Sequence, residues 1–446
     1  MLYNRWQNFR ESFWFVPLTM TLFAIVLAFA MTALDDEVDW NPSTDSPLGY
    51  AGRPDGARAV LAAVAGSTIT AAATAFSITI TTLALASSQF GPRLLRNFIS
   101  DRGIQLVLGI FIGTFVYCLL VLRTIFGNDE TDFVPQISIT VAFALALVSI
   151  IALIYFIHHV ATSIQVTSII RGVSNELERS INRLYDAADG DRNEDAEARR
   201  EDRDDLDDEE AGEISCRKGG YLQAIDSGAL VKAAAGREAV IKVKYHAGRF
   251  VVRRGPVALV WPKEAADEGL EEAVNDALDL GEVRTSTQDV EYAVDQLVEI
   301  AVRALSPGIN DPFTALSCID RLGSALVRIV EREPPEPRHW DDNGKLRAIV
   351  PKASFSGVVD AAFNMIRHHG GNYPAVLIRL LETISVVARR TENEEQRDCL
   401  LEHAEMINRA VDALPEEHDK KDARQRYREL LETLDRARQE ENGSGD

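Results

Sequence analysis

A domain of four transmembrane helices, followed by a cytoplasmic α+β region with a small β-barrel or sandwich and a helical bundle, is the fold class this sequence predicts. Three observations predict it. Four stretches without a charged side chain lie in the first 157 residues: Phe13 to Leu34, residues 59 to 90, Ile104 to Leu122 and Phe133 to Ile157. An acidic run from Asp186 to Glu213 then interrupts the chain. Beyond it, alternating apolar and polar residues give way to apolar residues at three- and four-residue steps, the change from strand to helix.

Each charge-free stretch reaches or approaches the ~20 residues that a helix needs to cross a bilayer's hydrocarbon core. Trp6, Trp14, Trp40 and Tyr155 stand near their ends, where amphipathic rings favour the interface. Ala28-Phe29-Ala30 resembles a signal-peptidase site, but the apolar run continues to Leu34 and is long enough to span, so it reads as a retained anchor. Arg5, Arg10, Arg93, Arg96, Arg102, Arg171, Arg179 and Arg183 flank one side of the spans, against Arg53, Arg58 and Arg123 on the other. The excess of basic residues predicts an inner-membrane protein with both termini cytoplasmic and residues 35 to 58 and 123 to 132 outside.

The second span is the most informative segment. It carries ten hydroxyls, at Ser67, Thr68, Thr70, Thr74, Ser77, Thr79, Thr81, Thr82, Ser87 and Ser88. At 100° per residue, Ser67, Thr70, Thr74, Ser77, Thr81 and Ser88 fall on one stripe, with Ala84 filling its gap. Ile69, Ala73, Phe76, Ile80 and Leu83 make a separate apolar face. Two roles fit such a seam. Small residues let helices approach closely, and Ala62, Gly66, Thr70 and Thr74 recur at four-residue spacing, as do Ala63, Ser67, Ala71 and Ala75. The other role is the lining of a polar path. No ionisable residue lies inside the segment, so the usual mark of a proton relay or ion centre is missing there.

Gly91-Pro92 ends this span, because proline cannot continue the hydrogen-bond ladder. Leu94, Leu95, Phe98 and Ile99 against Arg93, Arg96 and Asn97 then predict a short helix along the inner membrane surface. The membrane domain is read as residues 1 to 165, and an amphipathic stalk as 166 to 188. In the stalk Val166, Ile170, Val173, Leu177, Ile181 and Leu184 share a face that packs on another copy or on the domain below. His158 and His159 at its start point in different directions and suit the interface better than a shared metal.

The acidic run holds fifteen acids against four arginines, a net charge of −11, about half of the chain's −21. Such a segment repels itself and cannot bury apolar surface, so residues 189 to 213 are expected to be a disordered linker. It has neither the glycine turn nor the oxygen spacing of a calcium loop. The remaining chain is still acidic, which gives no basis for expecting a nucleic-acid partner.

Residues 214 to 263 read as the small β domain, with strands at Tyr221–Ile225, Val240–Tyr245, Phe250–Val252 and Val257–Trp261. No lysine occupies a hairpin tip in a Met-Lys setting, so a lipoyl-type carrier role is not supported. Residues 264 to 440 read as a helical domain and 441 to 446 as a tail. Val290, Val294, Leu297, Ala301 and Ala304 line one helix that Ser306-Pro307-Gly308 ends. Asp311 then suits an N-cap with Pro312 in the first helical position. Leu316, Ile319, Leu322, Leu326 and Ile329 line the next helix. Pro334 to Pro337 mark a loop, and later helices are expected over 354 to 368, 373 to 391, 394 to 413 and 416 to 440.

Asn310 and Asp311 are the best candidates for a polar site outside the membrane, with Thr314 and Asp320 nearby. Capping and a proline-glycine turn account for the same residues without a ligand. His368 and His369 suit a helix end, where a cation favours the dipole. Cys118, Cys216, Cys318 and Cys399 are too scattered for a disulfide framework or a paired-cysteine zinc site. No metal motif, P-loop, dinucleotide fingerprint or nucleophile elbow is present, so neither a cofactor nor an enzyme activity is expected.

The string Ala304-Leu305-Ser306-Pro307-Gly308-Ile309-Asn310-Asp311-Pro312-Phe313-Thr314-Ala315 resembles an uncharacterised bacterial family known only as predicted membrane proteins. Phe76-Ser77-Ile78-Thr79, Ser88-Gln89-Phe90-Gly91-Pro92-Arg93 and Gly219-Gly220-Tyr221-Leu222-Gln223-Ala224-Ile225-Asp226 carry the resemblance further along the chain. It implies architecture and leaves chemistry open. Two function classes follow from the residues. One is an oligomeric, channel-like or transport protein whose second span lines a polar path for an ion or small solute. The other is a membrane-anchored sensor or scaffold without transport. Both have the lipid bilayer and further copies of the chain as partners.

Overall fold

The structure is a computed structural model that describes residues 14–37, 54–91, 101–128, 131–163, 165–190 and 206–443. The inner-surface helix expected over 94 to 99 and the middle of the acidic run, 191 to 205, lie outside the described residues. The chain divides into two compact units, Met1–Ile169 and Ile170–Asp446.

The first unit contains α1 (Phe15–Glu37), α2 (Pro54–Phe90), α3 (Arg102–Thr124), a hairpin of β1 (Phe126–Asn128) and β2 (Thr131–Phe133), and α4 (Gln136–Ser163). All four helices are long and apolar enough to cross a membrane. Each runs past its charge-free stretch: α1 takes in Asp35, Asp36 and Glu37, and α2 starts at Pro54, where proline is pre-set for the first turn. A helix gains one hydrogen bond per residue whether or not lipid surrounds it, so charge marks the interface and not the helix end.

α3 is the centre of the bundle. Its apolar window is 61% buried, against 17% for α1 and 28% for both α2 and α4. Gly109 and Gly113 lie one turn apart on the side facing α1. A side chain at Gly109 would run into Met20, and Gly113 leaves only 3.5 Å between its Cβ position and Ala24. This is the small-xxx-small approach that lets helices pack in lipid, where the hydrophobic effect does not drive them together. Polar ties add direction. Asp35, at the end of α1, accepts hydrogen bonds from the Ile137 and Ser138 N–H groups at 2.8 and 2.9 Å and from the Ser138 hydroxyl at 2.6 Å, closing the N-terminus of α4. The Tyr117 hydroxyl donates to the Ser138 carbonyl at 3.0 Å.

The second unit starts within α5 (Val166–Gly190). Ile170, Val173, Leu177 and Ile181 are buried, so the stalk's apolar face is spent on its own chain. The Ser180 hydroxyl donates to the Ser286 carbonyl at 2.9 Å, the Ser286 hydroxyl donates to Glu176 at 2.6 Å, and Arg328 pairs with Glu178 at 3.4 Å. The stalk face thus packs on the part of the same chain that follows it.

Ten further elements make the α+β part of this unit: β3 (Gly212–Ser215), β4 (Gly220–Ile225), α6 (Ser227–Ala235), β5 (Val240–Val243), β6 (Phe250–Val251), β7 (Pro256–Trp261), α7 (Glu268–Ala277), β8 (Leu278–Gly281), β9 (Arg338–Trp340) and β10 (Leu346–Ile349). The strands form a five-stranded sheet in the order β3-β7-β5-β10-β9 and a three-stranded sheet in the order β6-β4-β8. β10 runs parallel to β5, with Ala348 opposite Ile241, and the other pairings are antiparallel. The expected barrel or sandwich confined to residues 214 to 263 is corrected here. Neither sheet closes, and β8, β9 and β10 enter from later in the chain. These strands are three or four residues long, too short for alternation to stand out. Leu230 and Ala234 from α6 and Leu270 and Val274 from α7 pack with Ile241, Val243 and Val260, so helices complete the core that barrel closure would otherwise have made.

The expected linker also ends earlier than residue 213. Asp207 caps a short turn, its carbonyl accepts from the Trp261 indole at 2.7 Å, and Asp208 and Glu213 pair with Lys242 and Lys244 of β5 and its continuation at 2.9 and 3.3 Å. Opposite charge on the sheet holds the end of the acidic run.

The helical part comprises α8 (Val290–Ala304), α9 (Pro312–Val330), α10 (Phe355–Gly370), α11 (Pro374–Ala388), α12 (Glu394–Val411) and α13 (Glu417–Gly443). α8 packs on α9 and α10, α9 on α11, and α11 on α12 and α13. The buried faces carry Leu297, Leu322, Phe363, Leu380 and Ile407, each at the spacing of an amphipathic helix.

The glycine contact in the membrane unit makes a clear prediction. Gly109→Leu forces α1 and α3 apart, with overpacking that costs about 1–3 kcal/mol. Thermal unfolding of the purified protein in detergent should fall accordingly, while Gly66→Leu, whose Cβ position meets nothing within 4 Å, leaves the monomer's unfolding unchanged.

Candidate functional site

Helix α2 buries a narrow face made of Ala57, Leu61, Ala65, Thr68, Ala72, Ala75 and Thr79. That face packs on α3 and α4. The hydroxyl stripe lies elsewhere: Ser67, Thr70, Thr74, Ser77, Thr81 and Ser88 are all exposed, as are Ala62, Ala63, Gly66 and Ala73. Within the chain the stripe is therefore not the packing seam. Its hydroxyls turn back on their own helix: Thr70 donates to the Gly66 carbonyl at 2.7 Å, Thr74 to Thr70 at 3.0 Å and Thr81 to Ser77 at 2.9 Å, with Ser67 and Ser88 bonding three residues back. Such bonds satisfy each proton locally and leave oxygen lone pairs on the surface.

The other exposed surfaces of the bundle differ in kind. α1 presents Leu18, Leu22, Val26 and Phe29, and α4 presents Leu147, Ile150, Ile151 and Ile154. Bulky apolar side chains suit lipid. On α2, Ile69, Phe76 and Ile80 are also exposed, but beside a strip of small and hydroxyl side chains.

At the N-terminus of α3, Asp101 caps the helix by accepting from the Gly103 N–H at 2.8 Å and also bonds His159 Nε2 at 2.7 Å. The Tyr155 ring stacks on His159 with centroids 5.3 Å apart. His159 thus has a carboxylate partner from another helix, which residue spacing alone did not reveal.

In the second unit the Ser306–Asp311 turn joins α8 to α9. Ile309 and Asn310 N–H groups donate to the Ser306 carbonyl at 3.1 and 2.9 Å, and the Asp311 N–H reaches the Ala304 carbonyl at 2.8 Å. Asp311 caps α9, accepting from the Thr314 N–H at 3.2 Å and the Thr314 hydroxyl at 2.6 Å. Asn310 adopts φ 53°, a left-handed conformation that asparagine tolerates better than most residues. Its side-chain oxygen accepts from the Tyr373 hydroxyl at 2.9 Å. Asp320 does not join this turn; it pairs with Arg379 at 2.9 Å.

Beside the turn lies an open groove of about 500 Å³, lined by Arg303, Ser306, His368, His369, Asn372 and Tyr373 among others. His368 and His369 sit in the last turn of α10, their rings 5.3 Å apart and nearly perpendicular. Ile309 is 46% exposed and Phe313 78% exposed, so the motif displays two large apolar side chains next to polar ones.

Cys118, Cys216 and Cys318 are buried and Cys399 partly so. Burial pushes the Cys318 thiol up to about 12 and the Cys399 thiol up to about 11, away from nucleophilic thiolate. Among the described residues no three His, Cys, Asp or Glu side chains come together as metal ligands.

The fold and these surfaces define a class: an integral membrane protein of four spans that carries an α+β and helical unit beyond the last span. Residues 10–385 match the family model described as predicted membrane protein (DUF2254), and the chain belongs to that family. Uncharacterized proteins of Mycobacterium tuberculosis and Mycobacterium bovis are each 32% identical to it over 370 residues, which is 82% of this chain and 70% of theirs. No solved structure matches it.

The turn makes its own prediction. Asn310→Val places a β-branched residue in the left-handed region and should cost about 1–2 kcal/mol. Asn310→Gly keeps the backbone and loses only the contact with Tyr373, so its melting temperature stays close to the parent's. A large loss in Asn310→Gly would show that the side chain, not the turn, is what matters.

Proposed function

We propose that this protein is an oligomeric, channel-like or transport protein of the bacterial inner membrane, in which α2 helices from several copies line a polar path and the second unit regulates it. One observation carries the reading: the hydroxyl stripe faces out of its own bundle. Placed against lipid, that strip wastes its lone pairs and the close approach its small side chains allow. Placed against copies of itself, it provides both. Hydroxyl oxygens around an axis solvate an ion or solute without any charged residue. The arginine bias supports a cytoplasmic position for both termini and for the second unit.

A second reading, a membrane-anchored sensor or scaffold without transport, draws on the Ser306–Phe313 turn. Phe313 and Ile309 stand exposed beside the groove at His368 and His369, an arrangement suited to recognition.

Planar bilayers decide between the two. Thr74→Val and Ser77→Ala should leave folding and assembly intact while altering conductance, because each removes a hydroxyl without orphaning a partner on another helix. Ser77→Leu should block assembly or flux. Interhelical hydrogen bonds in membranes average ~0.6 kcal/mol, so loss of a single hydroxyl cannot by itself dissolve the oligomer. A folded oligomer that stays silent under voltage, tension and ionic gradients would leave the scaffold reading.

Orientation has a separate check. A cysteine replacing Gly190 should resist an impermeant thiol reagent in intact cells and react after lysis; labelling in intact cells would reverse the topology.

A further inference from the structure

A cavity of about 30 Å³ lies in the second unit between the foot of α5, the start of α8 and the segment that follows β10. Most of its wall is apolar, with Val290, Val350 and Val358 all buried. Four polar side chains line it: Tyr185, His246, Gln288 and Lys352.

Two of these four are already committed. His246 Nε2 accepts from Arg249 at 3.0 Å, and Nδ1 lies 2.7 Å from the Ala247 carbonyl, which requires the proton on Nδ1 and a neutral ring. Gln288 spends both ends of its amide on the Ile225 backbone, at 2.9 and 3.2 Å. The Lys352 ammonium and the Tyr185 hydroxyl make no hydrogen bond or ion pair among the described residues. No acidic side chain lines the cavity. Lys242, Lys244 and Lys420, by contrast, each hold a carboxylate within 3.3 Å.

The cavity therefore has two uncommitted polar groups, the cationic Lys352 donor and the Tyr185 hydroxyl, and no carboxylate to balance the charge. Its complement is a group with acceptor oxygens and a negative charge, joined to a short apolar end. One water fills only ~10–15 Å³, so the space takes more than a single water and less than a nucleotide or sugar. We propose that this cavity binds a short-chain monocarboxylate of acetate or propionate size, with its oxygens on Lys352 and Tyr185 and its alkyl end on Val290, Val350 and Val358. Desolvation pushes the Lys352 ammonium below the ordinary lysine range, a cost that a bound carboxylate offsets. Burial holds the Tyr185 hydroxyl protonated, its pKa pushed up to about 12, so it donates at neutral pH. The inference is independent of the channel reading, since no span takes part.

The test is isothermal titration of sodium propionate into the full-length protein in nanodiscs, at constant ionic strength. Wild type should give saturable binding, weakened at least about tenfold by Lys352→Met and several-fold by Tyr185→Phe, as expected for a charged and a neutral hydrogen bond. Lys352→Met without ligand should melt no lower than wild type, because it removes a desolvated charge that has no partner. If that variant does not fold, Tyr185→Phe carries the comparison. Absence of saturable binding, or equal affinity in wild type and both variants, would overturn the proposal. Chloride displacing propionate at equal concentration would also overturn it, by making the site one for inorganic anions.

Discussion

The first four N–H groups of a helix have no partner inside it, and this chain supplies that partner with aspartate again and again. Asp101 closes α3, Asp226 closes α6, Asp267 closes α7, Asp289 closes α8 and Asp311 closes α9. Asp35 does the same for α4 from the end of a different helix. A cap of this kind contributes about 0.5–2 kcal/mol and fixes where a helix starts. It also gives the carboxylate spare capacity, which Asp101 spends on His159 and Asp289 on Arg284, at 2.7 and 2.8 Å. These six of the chain's 68 acidic residues thus serve to close a helix. Hydrogen bonds from Leu270 and Arg237 hold the Asp267 carboxyl below its ordinary range, so the stabilisation is present at neutral pH and fades as acid protonates it.

The membrane half was legible in outline because lipid imposes one rule on every span. Four charge-free stretches became four helices. The role of the α2 stripe was less legible. Periodicity showed that Ser67, Thr70, Thr74 and Ser77 share a face, but it could not say which face meets α3. That choice belongs to Leu61 and to Ala57, Ala65, Ala72 and Ala75, whose small side chains let α2 approach its neighbours, and alanine carries almost no signal of its own in a segment already rich in it.

Outside the membrane, local chemistry was easier to read than pairing across the chain. Asp311 as a cap followed by Pro312 needs only neighbouring residues, and the structure agrees in each detail. The bond between Asn310 and Tyr373 and the pairing of Asp101 with His159 join residues more than fifty positions apart, and nothing in their spacing marks them. Lys352 was invisible for the same reason. A lone lysine looks ordinary in sequence, and only three-dimensional surroundings without an acid make it informative.

The parallel pairing of β5 with β10 has a consequence for how the protein is made. Ile241 must wait for Ala348 before the five-stranded sheet is complete. At ~5–20 residues per second, the ribosome needs on the order of five to twenty seconds to supply that partner. During this interval one edge of β5 has its N–H and C=O groups unpaired, on a chain whose spans are already entering the membrane. Contacts so distant in sequence also slow the final closure, since loop entropy is lost before the pairing is gained. The acidic run upstream in the sequence, with fifteen carboxylates and a net charge of −11, gives every nascent chain the same excess of negative charge. Neighbouring nascent chains then repel one another during the interval when their strand edges are most prone to join.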